Sequence, residues 1–240
     1  MWSICKKELT QFFSNLTGYI AIILFLVTNG IFLFILNESS IIEYGYATLD
    51  KFFELAPWVL LFLVPAITMR SFADEFKSGT FETLRTRPLT NLQIVLGKYA
   101  ALLIVILFVI TPTFLYIVTI KALSANGSID GSGIAASYLG LFLLAAVFAA
   151  VSLCCGSFTS NAVVSFLVSL FVCIILYFGF SAISKLPTLQ GNADYYIEKF
   201  GIDFHYHSIS RAVVDTRDLV YFSSLIFLSL AVSVKNLEKR

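Results

Sequence analysis

The chain has only two histidines, two positions apart in the run Asp203-Phe204-His205-Tyr206-His207. On an extended strand alternate side chains share a face, so Asp203, His205 and His207 would present three metal ligands together. No cysteine or further histidine lies near them, so the metal pattern is weak, and polar residues at the interface of an outer loop are the reading adopted. A second chemical possibility is phosphate binding, which needs a glycine-rich turn ending in Gly-Lys-Ser/Thr so that backbone N–H groups can cradle the anion. The single Gly-Lys pair, Gly97-Lys98, is followed by Tyr99 and has Leu92 where the motif needs its first glycine. The chain is therefore assigned no catalytic residue, no cofactor site and no metal site.

The elements around these residues are membrane spans. Of the 240 residues, 58% are hydrophobic and 13% charged, with a mean hydropathy of +0.88, whereas soluble domains carry about 25% charge. Asp, Glu, Lys and Arg are absent from 9–37, 55–69, 99–120, 131–184 and 219–234. A helix rises ~1.5 Å per residue and must cross ~30 Å of hydrocarbon, so ~20 apolar residues make one span and the longest run holds two. Six spans are predicted, near 19–36, 53–69, 99–120, 134–155, 162–184 and 219–234. The charge-free runs leave no partner for a transported proton or cation, so work must be powered or gated from outside them. A net charge of +1 offers no field suited to nucleic acid. Cys5, Cys154, Cys155 and Cys173 lie before or within apolar segments, which implies no disulfide framework.

With the N-terminus placed inside, the inner segments hold ten Lys and Arg: Lys6, Lys7, Arg70, Lys77, Arg85, Arg87, Lys98, Lys235, Lys239 and Arg240. The short outer segments hold two, Lys51 and Lys121, and the long outer loop 185–218 holds four more. Both termini are thus expected to be cytoplasmic. Trp2, Cys5, Leu9, Phe12, Phe13 and Leu16 recur at helical spacing, which predicts an interfacial helix over 1–18.

Two polar excursions remain. In the inner segment 70–98, Phe72, Phe76, Thr80 and Leu84 recur every four residues beside a charged side, predicting a short surface helix ended by Pro88. Thr90 and Gln93 then form a capping box that starts the third span. Phe72, Phe76, Phe81 and Leu84 are candidates for packing, Glu75, Lys77, Glu82, Arg85 and Arg87 for polar contacts, and Gly79 for close approach of a partner backbone. In the outer loop 185–218, Tyr195, Tyr196, Phe200, Phe204 and Tyr206 alternate with charges, which suits short helices at the outer interface.

The run Met69-Arg70-Ser71-Phe72-Ala73-Asp74-Glu75, Ser78-Gly79-Thr80, Glu82-x-Leu84, Pro88 and Ile94-Val95-Leu96-Gly97-Lys98 resembles the segment after the second span of ABC-2 type exporter permeases. The likeness extends over the six spans, the N-terminal helix and the outer loop. It implies an all-α integral membrane fold with a cytoplasmic coupling helix and an outer re-entrant segment, in one transmembrane domain over 1–240. It also implies an ABC ATPase partner, with ATP and Mg held in that partner, contacted through Phe72, Glu75, Phe76, Gly79, Thr80, Glu82, Leu84, Arg85, Arg87 and Pro88. Tyr195, Tyr196, Phe200, Phe204 and Tyr206 would form the outer gate or interface. The run from Ser208 through Arg211, Asp215 and Asp218 to Phe222 is most similar to gliding-motility permeases. That subfamily implies the bacterial inner membrane and a second permease subunit, either another copy or one with a large periplasmic domain, alongside membrane lipid. A passive channel or scaffold with no ATPase is the alternative.

Overall fold

The computed structural model describes residues 1–35, 48–85, 90–123, 130–185 and 194–239, excepting the side chains at 17 and 83–85. Leu84 and Arg85 as side chains, with Arg87 and Pro88 entirely, lie outside the described residues. Among the described residues every regular element is helical.

Helix α1 (Trp2–Ser14) stops where Asn15 becomes extended, at φ −98° and ψ 147°, and α2 (Leu16–Phe34) sets off in a new direction. Trp2–Ser14 and Gly18–Phe34 diverge by 69°, the change of course expected of a surface helix that feeds a span. The face that α1 buries carries Ile4 and Cys5, while Trp2 and Leu16 of the predicted stripe are exposed. Burial, with the Glu8 carboxylate nearby, pushes the Cys5 thiol above its ordinary value of 9.0 and keeps it neutral.

Helix α3 (Asp50–Thr68), with Pro57 and Pro65 inside it, leads directly into α4 (Arg70–Ser78). Met69 between them is itself helical, and its N–H bonds to the Pro65 carbonyl. The predicted surface helix is thus the lower part of a 29-residue rod, Asp50–Ser78. It ends at Gly79, whose φ of +69° lies in the left-handed region that closes a helix cheaply only without a Cβ. A separate short helix α5 (Thr80–Arg85) follows, so the four-residue repeat from Phe72 to Leu84 is broken rather than continuous.

The capping box at Thr90 forms as predicted: the Gln93 N–H donates to Thr90 Oγ1, and the Thr90 N–H donates to Gln93 Oε1. It opens α6 (Asn91–Ile110), which passes through a 3₁₀ turn at Thr111–Thr113, around Pro112, into α7 (Phe114–Leu123). Next come α8 (Gly131–Phe158) and α9 (Ala162–Ile174), the latter continued by a π turn (Ile175–Gly179) and α10 (Phe180–Ser184). Helices α11 (Asp194–Glu198), α12 (Ile202–Ser210) and α13 (Thr216–Glu238) complete the described chain.

Among the described residues five helices are long and apolar enough to cross a membrane: Asp50–Ser78, Asn91–Leu123, Gly131–Phe158, Ala162–Ser184 and Thr216–Glu238. The bent pair α1–α2 makes a sixth candidate if it is counted as one span, so five or six candidates stand against the six predicted positions. Helix α8 is the hub, with α3, α4, α6, α9, α12 and α13 packed around it. Its middle is built of Ala145, Ala146, Ala149 and Ala150, all buried, and such small side chains let neighbouring helices approach closely. The helices outrun the charge-free stretches, so the membrane elements do carry ionisable residues near their ends. Glu54 lies in α3, Lys98 in α6 and Asp218 in α13.

Candidate functional site

One end of the bundle gathers α1, α4, α5 and the start of α6 around Lys98. Its side chain is fully buried, and its ammonium lies 2.7 Å from Glu8 Oε1, 3.0 Å from Glu75 Oε2 and 2.6 Å from the Ser71 carbonyl. The ring of Phe72 lies 5.0 Å from the same nitrogen. Lys7 adds a 2.6 Å bond to Glu75 Oε1. A buried ammonium is tolerable only when its donors meet oxygen and its charge meets a counter-charge, and here the oxygens come from α1 and α4. The Lys98 cation thereby ties three elements together.

Gly97 explains why α1 can lie so close. A Cβ at that position would stand 3.0 Å from Ile4 Cβ and from the Met1 carbonyl, tighter than ordinary packing, so α1 rests on the bare backbone of α6. At the same end, Asn236 near the finish of α13 donates to the carbonyl (2.7 Å) and hydroxyl (3.0 Å) of Ser157 at the foot of α8.

The predicted coupling residues divide into two groups. Phe72 and Glu75 are buried, and Phe76 is half-buried, stacked on Phe72 at 5.7 Å with an interplanar angle of 10° and edge-on to the buried Phe81 at 5.0 Å. Glu75 is turned inward within the chain, with Oε1 bonded to Lys7 and Oε2 3.0 Å from the Lys98 ammonium. Asp74, Lys77, Ser78, Gly79, Thr80 and Glu82 are exposed on the opposite face. Gly79 has nothing within 4 Å of a would-be Cβ. Its structural requirement is the helix stop rather than room for a neighbour within the chain.

At the other end α11 and α12 fold back against the bundle. Helix α12 buries Ile202, His205, Tyr206 and Ile209, with Ile209 lying over Gly140 of α8. The Tyr206 hydroxyl donates to the Phe53 carbonyl at 2.6 Å, so Tyr206 is a buried anchor of the hairpin on α3. Tyr195, Tyr196 and Phe200 are exposed, and Phe204 is half-buried with its ring 6.0 Å from Tyr195.

The strand geometry proposed for Asp203, His205 and His207 is replaced by a helix, which sends the two imidazoles to different sides. His207 Nε2 meets Asp203 Oδ1 at 3.3 Å, one turn away on the surface. His205 points inward, with Nδ1 2.6 Å from Asp218 Oδ1 and Nε2 2.9 Å from the Lys199 carbonyl. A carbonyl only accepts, so Nε2 must carry a proton. The Nδ1 contact then holds one proton between imidazole and carboxylate. Tyr221 stacks on the imidazole at 4.0 Å, and its hydroxyl donates to the Phe200 carbonyl at 2.6 Å, so two side chains clasp consecutive carbonyls of the α11–α12 turn. Among the described residues no group of three His, Cys, Asp or Glu is placed to hold a metal ion.

Sequence reasoning missed the buried roles of Lys98, Glu8 and Asp218. The available signal was a charge placed within one turn of an apolar run, on a helix whose cap lay further out.

No curated protein matches the chain. A family model described as ABC-2 family transporter protein matches residues 50–197, more than half of the chain, from the start of α3 through α11. The match takes in the α3–α4 rod, the short α5 and the central helix α8, and with the apolar helices around them it establishes that this multi-pass membrane protein belongs to the ABC-2 transporter family.

Proposed function

We propose that the chain is the permease subunit of an ATP-driven ABC exporter, of the gliding-motility type, in the bacterial inner membrane with both termini cytoplasmic. Hydrolysis of ATP with Mg belongs to a partner ATPase, and this chain supplies the path and receives the force. The observation that carries the reading is the α3–α4 rod. A span that continues unbroken into a polar helix transmits a push at its foot along its whole length. The ion pairs of Glu75 with Lys7 and Lys98 hold that foot to α1 and α6, so the load reaches three helices together. The exposed side of α4 and α5, with Lys77, Thr80 and Glu82, is the face offered to the ATPase, while Phe72, Glu75 and Phe76 position it from behind. The second permease subunit, another copy or one with a large periplasmic domain, would pack on apolar helix faces this chain leaves exposed.

The reading is tested by mild-detergent purification of the tagged chain from its native membrane with mass spectrometry of what stays bound. A P-loop ATPase recovered at roughly one copy per permease-type subunit is expected. Recovery of the chain alone, repeated in several mild detergents, would overturn the ABC assignment in favour of a channel or scaffold.

A further inference from the structure

Beneath α1, at its bend into α2, a slot of about 290 Å³ opens between α1, α2, the α3–α4 rod and α6. Along the spans its walls are apolar, formed by Ala21, Leu24, Leu63, Leu102 and Val105. Toward α1 and α4 the lining turns polar, with Gln11, Asn15, Arg70 and Asp74. A slot apolar along the spans and polar at the bend of a surface helix follows the polarity gradient of one membrane leaflet, which a single phospholipid spans from acyl chain to headgroup.

Charge narrows the headgroup. Arg70 and Asp74 stand one turn apart on α4, both exposed, and neither forms an ion pair among the described residues. The slot's other two charges, Glu8 and Lys98, are bonded to each other at 2.7 Å. Among the described residues the mouth therefore offers one free cation and one free carboxylate. A purely anionic headgroup would satisfy Arg70 and set a negative charge against Asp74, whereas a phosphate carrying a primary ammonium satisfies both, the guanidinium binding phosphate in its bidentate geometry.

We propose that this slot is a binding site for a zwitterionic aminophospholipid, with its phosphate on Arg70, its ammonium on Asp74 and an acyl chain between α2, α3 and α6. The site is complete within one chain and does not depend on the exporter reading, so either can fail alone.

Native mass spectrometry of the full-length protein, with phosphatidylethanolamine and phosphatidylglycerol added in equal amounts, tests it. One phosphatidylethanolamine adduct per chain is expected, preferred over phosphatidylglycerol. Arg70→Gln should weaken it about tenfold or more, the loss of a charge-assisted hydrogen bond. Asp74→Asn should abolish the preference over phosphatidylglycerol. Ala66→Trp, at an exposed wall position where the larger side chain need not disturb the core, should remove the adduct while the circular dichroism of the protein is unchanged. Soluble phosphoethanolamine in excess should not displace the lipid, because the apolar walls hold the chain. An Ala66→Trp protein that binds as the parent does, equal retention of the two lipids by the parent, displacement by phosphoethanolamine, or no adduct at all would each overturn the proposal.

Discussion

At each end of the bundle a short helix lies over a glycine of a long one and is held by a buried charge, yet the two fastenings differ in kind. Helix α1 rests on Gly97 and is tied by Lys98, whose ammonium meets Glu8, Glu75 and a main-chain carbonyl. Helix α12 lies against Gly140 and is tied by His205, which shares one proton with Asp218 and reaches a carbonyl of its own hairpin. The first joint links α1, α4 and α6 through full charges, so moving one of the three disturbs the other two. The second links a hairpin to the start of α13 through the His205 imidazole and the Tyr221 hydroxyl, and to α3 through the Tyr206 hydroxyl. The contrast is between a base that joins three helices and a separately held cover, and the segment with an exposed polar face belongs to the base.

The comparison breaks most sharply at Lys98. Lys98→Met leaves Glu8 without its cation and should destabilise the protein by about 3–5 kcal/mol, as removal of one member of a buried ion pair does. Hydrogen exchange should show α1 losing protection while α12 keeps it. His205→Phe makes the converse test. It strands the Asp218 carboxylate and should cost about 1.5–3 kcal/mol, with faster exchange confined to 194–210. Gly97→Val forces a branched side chain against Ile4 and should cost about 1–3 kcal/mol as overpacking, read as α1 released with Lys98 still present. Tyr206→Phe removes a single neutral hydrogen bond and should cost about 1 kcal/mol, visible as a small fall in melting temperature.

The smallest expected effect concerns helix starts. Asp130 and Asp215 cap α8 and α13 and sit below the ordinary carboxylate value of 3.8, Asp130 chiefly through the Ser132 hydroxyl and Asp215 chiefly through the Arg217 N–H. A depressed folded value means that each cap is fully stabilising above the unfolded value and is lost as pH falls through the folded one. Below about pH 3.8, amide exchange in the first turns of α8 and α13 should quicken, while the start of α6, capped by the neutral Thr90–Gln93 box, gains no proton and should hold.

Legibility in the sequence followed the same division. The six apolar segments, the capping box at Thr90 and the bend after α1 are local properties of periodicity and side-chain chemistry, and they could be read directly. What could not be read was the distance between segments. Lys98 looks like a charge at the edge of a span until α1 and α4 bring Glu8 and Glu75 to it across 90 and 23 positions of sequence. Glu75 consequently looked like a surface contact. For Asp203, His205 and His207 an alternating polar pattern by itself also fits a strand, and it is burial of Ile202, Tyr206 and Ile209 at helical spacing that decides the conformation. Gly79 stands out in the sequence, but its left-handed turn depends on where α4 stops, which the local pattern does not fix.

We propose above all that the base, and not the hairpin end, would be the face that meets a partner ATPase. The most direct test is quantitative co-purification of the native complex from three backgrounds: the parent chain, a Lys77→Glu/Glu82→Lys chain with the exposed charges of α4 and α5 exchanged, and a Tyr195→Ala/Tyr196→Ala chain altered at the opposite end. The account predicts that charge exchange lowers bound ATPase at least about tenfold, the scale of one or two charge-assisted contacts, and that the tyrosine pair leaves it unchanged. Equal recovery from the parent and the charge-exchanged chain, or loss of ATPase only in the tyrosine variant, would contradict it.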